Sequence, residues 1–84
     1  MVTKVILADD HRILREGLRA LLEKDADIEV IAEADNGRCA VELVEKLHPH
    51  VVIMDIGMAD MNGIEATRRI SELSREVKVI GLSI

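Results

Sequence analysis

Four residues stand where this sequence could do chemistry: Asp9, Asp10, Asp55 and Ser83. The pair Asp9-Asp10, Asp55 and Ser83 each follow a short apolar run, so each would leave the carboxyl end of a strand if those runs are strands. Carboxylates gathered at one mouth repel, and at least one takes up a proton unless a cation lies among them. A hard, all-oxygen donor set suits Mg2+, which keeps several waters and binds through one or two carboxylates plus a phosphate. A carboxylate beside such an ion can attack a phosphoryl group and form an aspartyl phosphate, while the ion neutralises the charge that develops in transfer. Ser83 would hydrogen-bond the transferred group. Each residue also has a plainer reading. Asp9-Asp10 could cap a following helix, Asp55 could be a turn residue, and Ser83 could be a satisfied strand-end hydroxyl. Their conjunction at three strand ends favours a site, because rigid sheets position functional residues at such ends.

The elements that must position them follow from hydrophobic period. Val5-Ile6-Leu7-Ala8 and Val51-Val52-Ile53-Met54 are continuous apolar runs, the pattern of strands buried on both faces. Ile28 to Ala34 alternates, with Glu29 and Glu33 breaking the apolar set, and predicts a less buried strand. Val77 to Leu82 predicts a fourth. Between them Leu14, Leu18, Leu21 and Leu22 recur at helical spacing, then Ala40, Val41, Val44 and Leu47, then Ile64, Thr67, Ile70 and Leu73. Asp35-Asn36-Gly37 is turn and cap chemistry. His48-Pro49 closes the second helix, and a loop is expected from Ile56 to Gly63. Strand and helix alternate throughout, which predicts the α/β class: an open parallel sheet with helices on both faces and right-handed crossovers. Sites in such sheets lie beyond the carboxyl ends of the strands, where strand order reverses. Asp9, Asp10 and Asp55 converge if the first and third strands are neighbours.

Composition narrows the function. The chain has 84 residues, enough for one small domain, and no Phe, Tyr or Trp, so its core is aliphatic and it has no aromatic platform for stacking bases. A net charge of −5 argues against direct binding of a phosphate backbone, and Arg68-Arg69 is too short for a basic patch. Cys39 is alone and is read as a helix-packing residue. His11, His48 and His50 lack metal-ligand spacing and are read as surface or cap residues. Met58 and Met61 are read as gap-fillers. Phosphate loops and dinucleotide fingerprints are absent. The first apolar run is too short for a signal peptide or membrane span, which makes the cytoplasm the expected location and a membrane partner unexpected.

Taken together, the motifs resemble a known family. Val5 to His11, Leu14 to Leu18, Asn36-Gly37, Val52 to Met58, Met61 to Ala66 and Val79 to Ser83 are similar, in this order, to the receiver domains of two-component response regulators. The wording is nearest to transcriptional regulators of the NarL/FixJ (LuxR) type. The resemblance implies a flavodoxin-like fold, here carried only through the fourth strand. It implies Asp55 as phosphoacceptor for a sensor histidine kinase. Mg2+ would be held by Asp10, Asp55 and the Gly57 carbonyl, with Asp9 acting through water, and Ser83 would relay the switch. It also implies a DNA-binding output domain, absent from residues 1–84, through which phosphorylation controls transcription. Ala59 stands where the family usually has proline, and His50 where it tends to have an acidic residue. No residue matches the family's phosphoryl-contacting lysine; Lys78 lies mid-strand.

The expectation is therefore a switch rather than a turnover enzyme. A phosphatase of the haloacid-dehalogenase type would need a second Asp two residues after Asp55, where Gly57 stands. The alternative is a phosphorylation-independent interaction module on the same fold. The fourth strand is expected to present an apolar edge through which the chain could form a homodimer.

Overall fold

The structure, a computed structural model, describes residues 1–57 and 63–82. Strands β1 (Thr3–Ala8), β2 (Ile28–Ala34), β3 (Val51–Asp55) and β4 (Lys78–Leu82) alternate with helices α1 (Arg12–Leu22), α2 (Gly37–Leu47) and α3 (Gly63–Leu73). The strands form one parallel sheet in the order β2-β1-β3-β4. β1 and β3 are thus neighbours, as the convergence of Asp9, Asp10 and Asp55 requires. Chain order runs outward from β1 to β2 and then back across to β3, so the order reverses between β1 and β3. That reversal leaves a crevice at their carboxyl ends.

The two inner strands are apolar on both faces because both faces are covered. Ile6, Ala8, Val52 and Met54 join Ala40 and Val44 of α2 and Ala66 and Ile70 of α3 in one buried cluster. Val5, Leu7 and Val30 form the other, packed against Leu18 and Leu22 of α1. Helices therefore lie on both faces, with α2 and α3 together and α1 opposite.

Four members of the expected helical stripes do not face the core, Leu47 of α2 among them. Leu21 is 64% exposed, Ile64 70% and Leu73 49%. Periodicity places a residue on the apolar side of its helix, but the sheet accepts only the narrow line directly above it. In α3 that line is Ala66 and Ile70, four residues apart; in α1 it is Leu14, Leu18 and Leu22, all half-buried. β1 also begins two residues before Val5, and Val77 precedes β4 rather than opening it.

The caps follow the sequence closely. Asn36 is the N-cap of α2, and its side chain accepts from the Cys39 N–H at 2.8 Å. Cys39 is half-buried against the core, as a packing residue. At the other end His48 takes the left-handed conformation (φ 49°, ψ 61°) and its N–H donates to the Val44 carbonyl. A residue with a Cβ pays about 1 kcal/mol for that conformation, which glycine avoids. His48→Gly is accordingly expected to raise the melting temperature by about 4–8 °C; an unchanged or lower value in a thermal melt would refute this. Beyond it, His50 Nδ1 accepts from the Lys4 N–H at 2.8 Å and its own N–H donates to the Lys4 carbonyl, tying the start of β3 to β1.

Candidate functional site

β1 ends at Ala8, and Asp9 continues its line by donating its N–H to the Ala34 carbonyl of β2. The Asp9 side chain is thereby turned into the crevice mouth with the residue 2% exposed. Its Oδ1 accepts from the His11 N–H at 2.7 Å, which fixes the chain before α1 begins at Arg12. Asp9-Asp10 do not cap that helix: its N-cap is His11, which makes no side-chain cap bond. Asp55 is the last residue of β3 and 6% exposed, and its Oδ1 accepts from the Gly57 N–H at 2.9 Å. Asp10 is the more exposed of the three.

Asp9, Asp10, His11 and Asp55 each offer a ligand atom, and these four atoms lie within 4.8 Å of one another. His11 is the exposed cap residue that spacing suggested, but its nearness to the carboxylates was not legible from spacing. Its Nδ1 lies 2.9 Å from Asp9 Oδ1, 3.1 Å from Asp10 Oδ1 and 3.5 Å from Asp55 Oδ2. The hydrogen bond to Asp9, and after it the charge of Asp10, hold the His11 imidazole above its ordinary value of 6.5. One buried atom here has no hydrogen-bond partner among the described residues, Asp9 Oδ2. A desolvated carboxylate oxygen without a donor is costly, and a cation among the three carboxylates would relieve it. The donor set thus fits a divalent ion.

The profile of the response regulator receiver domain matches residues 5–84. The chain belongs to the response regulator receiver family. It is 44% identical over 81 residues to the transcriptional regulatory protein DegU of Brevibacillus brevis, covering 96% of this chain and 34% of that protein. The response regulator domain of Thermotoga maritima CheB superposes with a TM-score of 0.94 at 35% identity, over 99% of this receiver and 61% of that chain. A DNA-binding response regulator of the LuxR family from Staphylococcus aureus superposes with a TM-score of 0.90 at 36% identity, over 98% and 68%. The receiver thus has the flavodoxin-like fold of its family, its relatives are of the LuxR/NarL type, and it spans about a third of the length of DegU.

Within this receiver the structure brings together Asp9, Asp10 and Asp55, and sets Gly57 against Asp55. Ser83 lies outside the described residues, as do Met58, Ala59 and Met61. No helix among the described residues is long and apolar enough to cross a membrane. A second set of residues went unseen in the sequence. Arg15 donates to the Asp9 carbonyl at 2.6 Å through one guanidinium nitrogen and to Glu33 Oε1 at 2.8 Å through Nε, so it clamps the β1 end to β2. Glu33 also pairs with Arg19. Residues 15 and 33 share no local pattern that could have announced the pair.

Arg19 first, and Arg15 with it, hold the Glu33 carboxyl below its ordinary 4.5 against the opposing effect of burial. A carboxyl depressed on folding contributes stability that is present above its unfolded value and is lost as pH falls through its folded value. The difference in melting temperature between the receiver and Glu33→Gln is therefore expected to be largest above pH 4.5 and to shrink below it. A difference constant across that range would show the ion pairs contribute nothing.

Proposed function

We propose that this receiver is a phosphorylatable switch whose acceptor is Asp55 and whose donor is the phosphohistidine of a sensor histidine kinase. The observation that supports this reading is the meeting of three carboxylates at the β1–β3 crevice, with Asp55 nearly buried beside them. Asp10, Asp55 and the Gly57 carbonyl would hold Mg2+, with Asp9 acting through water. When bound, the ion offsets the negative charge of the phosphoryl oxygens as they approach the acidic pocket. A carboxylate oxygen of Asp55 forms the new bond to phosphorus as the bond to the donor imidazole nitrogen breaks, and that nitrogen then takes up a proton. Burial keeps Asp55 away from bulk water, and the Gly57 N–H fixes its orientation. Ser83 would hydrogen-bond the phosphoryl group and pass on the change. The relatives' names support a DNA-binding output that controls transcription from a segment outside these residues; a cytoplasmic location goes with this reading. Pairing through the β4 edge would make the homodimer. On this reading the chain carries out its own phosphorylation and dephosphorylation but turns over no other substrate.

The test is intact mass after incubation with acetyl phosphate, with and without Mg2+. A phosphoryl adduct that requires the ion and is lost in Asp55→Asn is the expected result. A folded receiver that takes no adduct would instead be a phosphorylation-independent interaction module.

A further inference from the structure

The peptide between Asp9 and Asp10 stands past the last residue of β1, Ala8, and a side chain of α1 takes hold of it. Arg15 donates to the Asp9 carbonyl at 2.6 Å through one guanidinium nitrogen and, through Nε, to Glu33 Oε1 of β2 at 2.8 Å. We propose that Arg15 is a positioning residue for the cation site. By holding that carbonyl it sets the direction in which the Asp10 carboxylate leaves the chain, and so sets the affinity for Mg2+. The inference rests on the reading of the crevice as an Mg2+ site, and goes beyond it by assigning the affinity to a residue that acts on the backbone behind the carboxylates.

A peptide unit is planar, so its oxygen and the following Cα move together. Pinning the Asp9 oxygen therefore pins the Cα of Asp10, from which a carboxylate of the site projects. Asp9 is fixed at two other points: its N–H donates to the Ala34 carbonyl at 3.0 Å, and its Oδ1 accepts from the His11 N–H at 2.7 Å. Arg15 supplies the third hold, on the side that faces Asp10. Asp10 depends on it, because its side chain is 33% exposed against 3% for Asp9 and packing leaves its direction free. The clamp is itself well held. The Arg15 and Glu33 side chains are 16% and 22% exposed, and a planar guanidinium presents its donors in a rigid fork that an ammonium on a flexible stem does not reproduce. Charge works in the opposite sense, since a cation near the crevice opposes the binding of a second one. Arg15 therefore helps Mg2+ through geometry, while Glu33 offsets its charge. Arg19, one turn along α1, pairs with the same Glu33 and with Glu23, and so provides a comparison that leaves the Asp9 carbonyl alone.

The experiment is calorimetric titration with Mg2+ of the parent, Arg15→Met, Arg15→Lys and Arg19→Gln, with circular dichroism to show that each is folded. Loss of the support behind a ligand is expected to weaken Mg2+ by about tenfold or more in both Arg15 variants, while Arg19→Gln stays within about threefold of the parent. The charge-keeping Arg15→Lys carries the comparison should Arg15→Met fail to fold. Unchanged affinity in either folded Arg15 variant overturns the proposal and leaves the Mg2+ site standing. Tighter binding in Arg15→Met overturns it too, because the guanidinium would then act by charge alone. An equal loss in Arg19→Gln overturns it by tracing the affinity to the general firmness of the α1–β2 contact. A parent that binds no Mg2+ overturns both this proposal and the cation-site reading.

Discussion

Asp55→Asn is expected to abolish phosphoryl uptake and, in metal-free buffer, to raise the melting temperature. The two effects share one cause. An amide oxygen still accepts from the Gly57 N–H, so the turn after β3 keeps its hydrogen bond, but it no longer offers a nucleophilic carboxylate. The substitution also removes one of three negative charges whose ligand atoms lie within 4.8 Å. Two unit charges 4 Å apart at the effective dielectric of a protein surface repel by about 4 kcal/mol. His11 and the partial exposure of Asp10 reduce this, leaving a net gain on the order of 1 kcal/mol, or about 4–8 °C for a chain of this size. Saturating Mg2+ should reverse the ranking, because binding stabilises the folded parent by mass action and Asn is a poorer ligand. Melts with and without the ion, beside intact mass, check all three statements. An adduct on Asp55→Asn would place the acceptor elsewhere, and a lower metal-free melting temperature would mean that the cluster is not strained by like charge.

Ile6→Ala is expected to cost about 2–5 kcal/mol, the range for a buried aliphatic side chain whose cavity cannot collapse. Ile6 is fully buried in β1 between two hydrogen-bonded neighbours. Its side chain belongs to the cluster shared by Val52, Val44 and Ile70, so the vacated space is walled by a rigid sheet and two helices. An 84-residue chain has a total stability of only about 4–13 kcal/mol, so the melting temperature should fall by about 10 °C or more. Ile13→Ala, at an exposed position of α1, is expected to change stability by less than about 0.5 kcal/mol. Chemical denaturation of the two variants beside the parent gives the comparison. A loss below about 1 kcal/mol for Ile6→Ala would mean that the core relaxes around the hole.

Both predictions begin at features that were legible in the sequence. The runs from Val5 to Ala8 and from Val51 to Met54 fit strands covered on both faces, and the carboxylates after them could be named before any contact was known. Asn36 announced the start of α2, and His48-Pro49 its end. The family, too, was readable from motifs in order. Other features depended on which segments meet. Leu21, Leu47, Ile64 and Leu73 have the right period and still face outward, because a helix's buried line is chosen by the surface beneath it. Spacing read His11 as a surface or cap residue, and it is the exposed N-cap of α1; that its ring also meets the carboxylates at the ends of β1 and β3 depends on which strands are neighbours. The Arg15–Glu33 clamp joins residues 18 positions apart.

By itself, then, the sequence determined the strands, the helices, the family and the three acidic residues, all of which follow from local period, local cap chemistry and side-chain type. The tertiary structure alone decided that β1 lies beside β3, that His11 completes the acidic cluster and that Arg15 braces its floor. These are matters of which surfaces bury one another, and burial is settled by the packing of the whole chain rather than by any stretch of it.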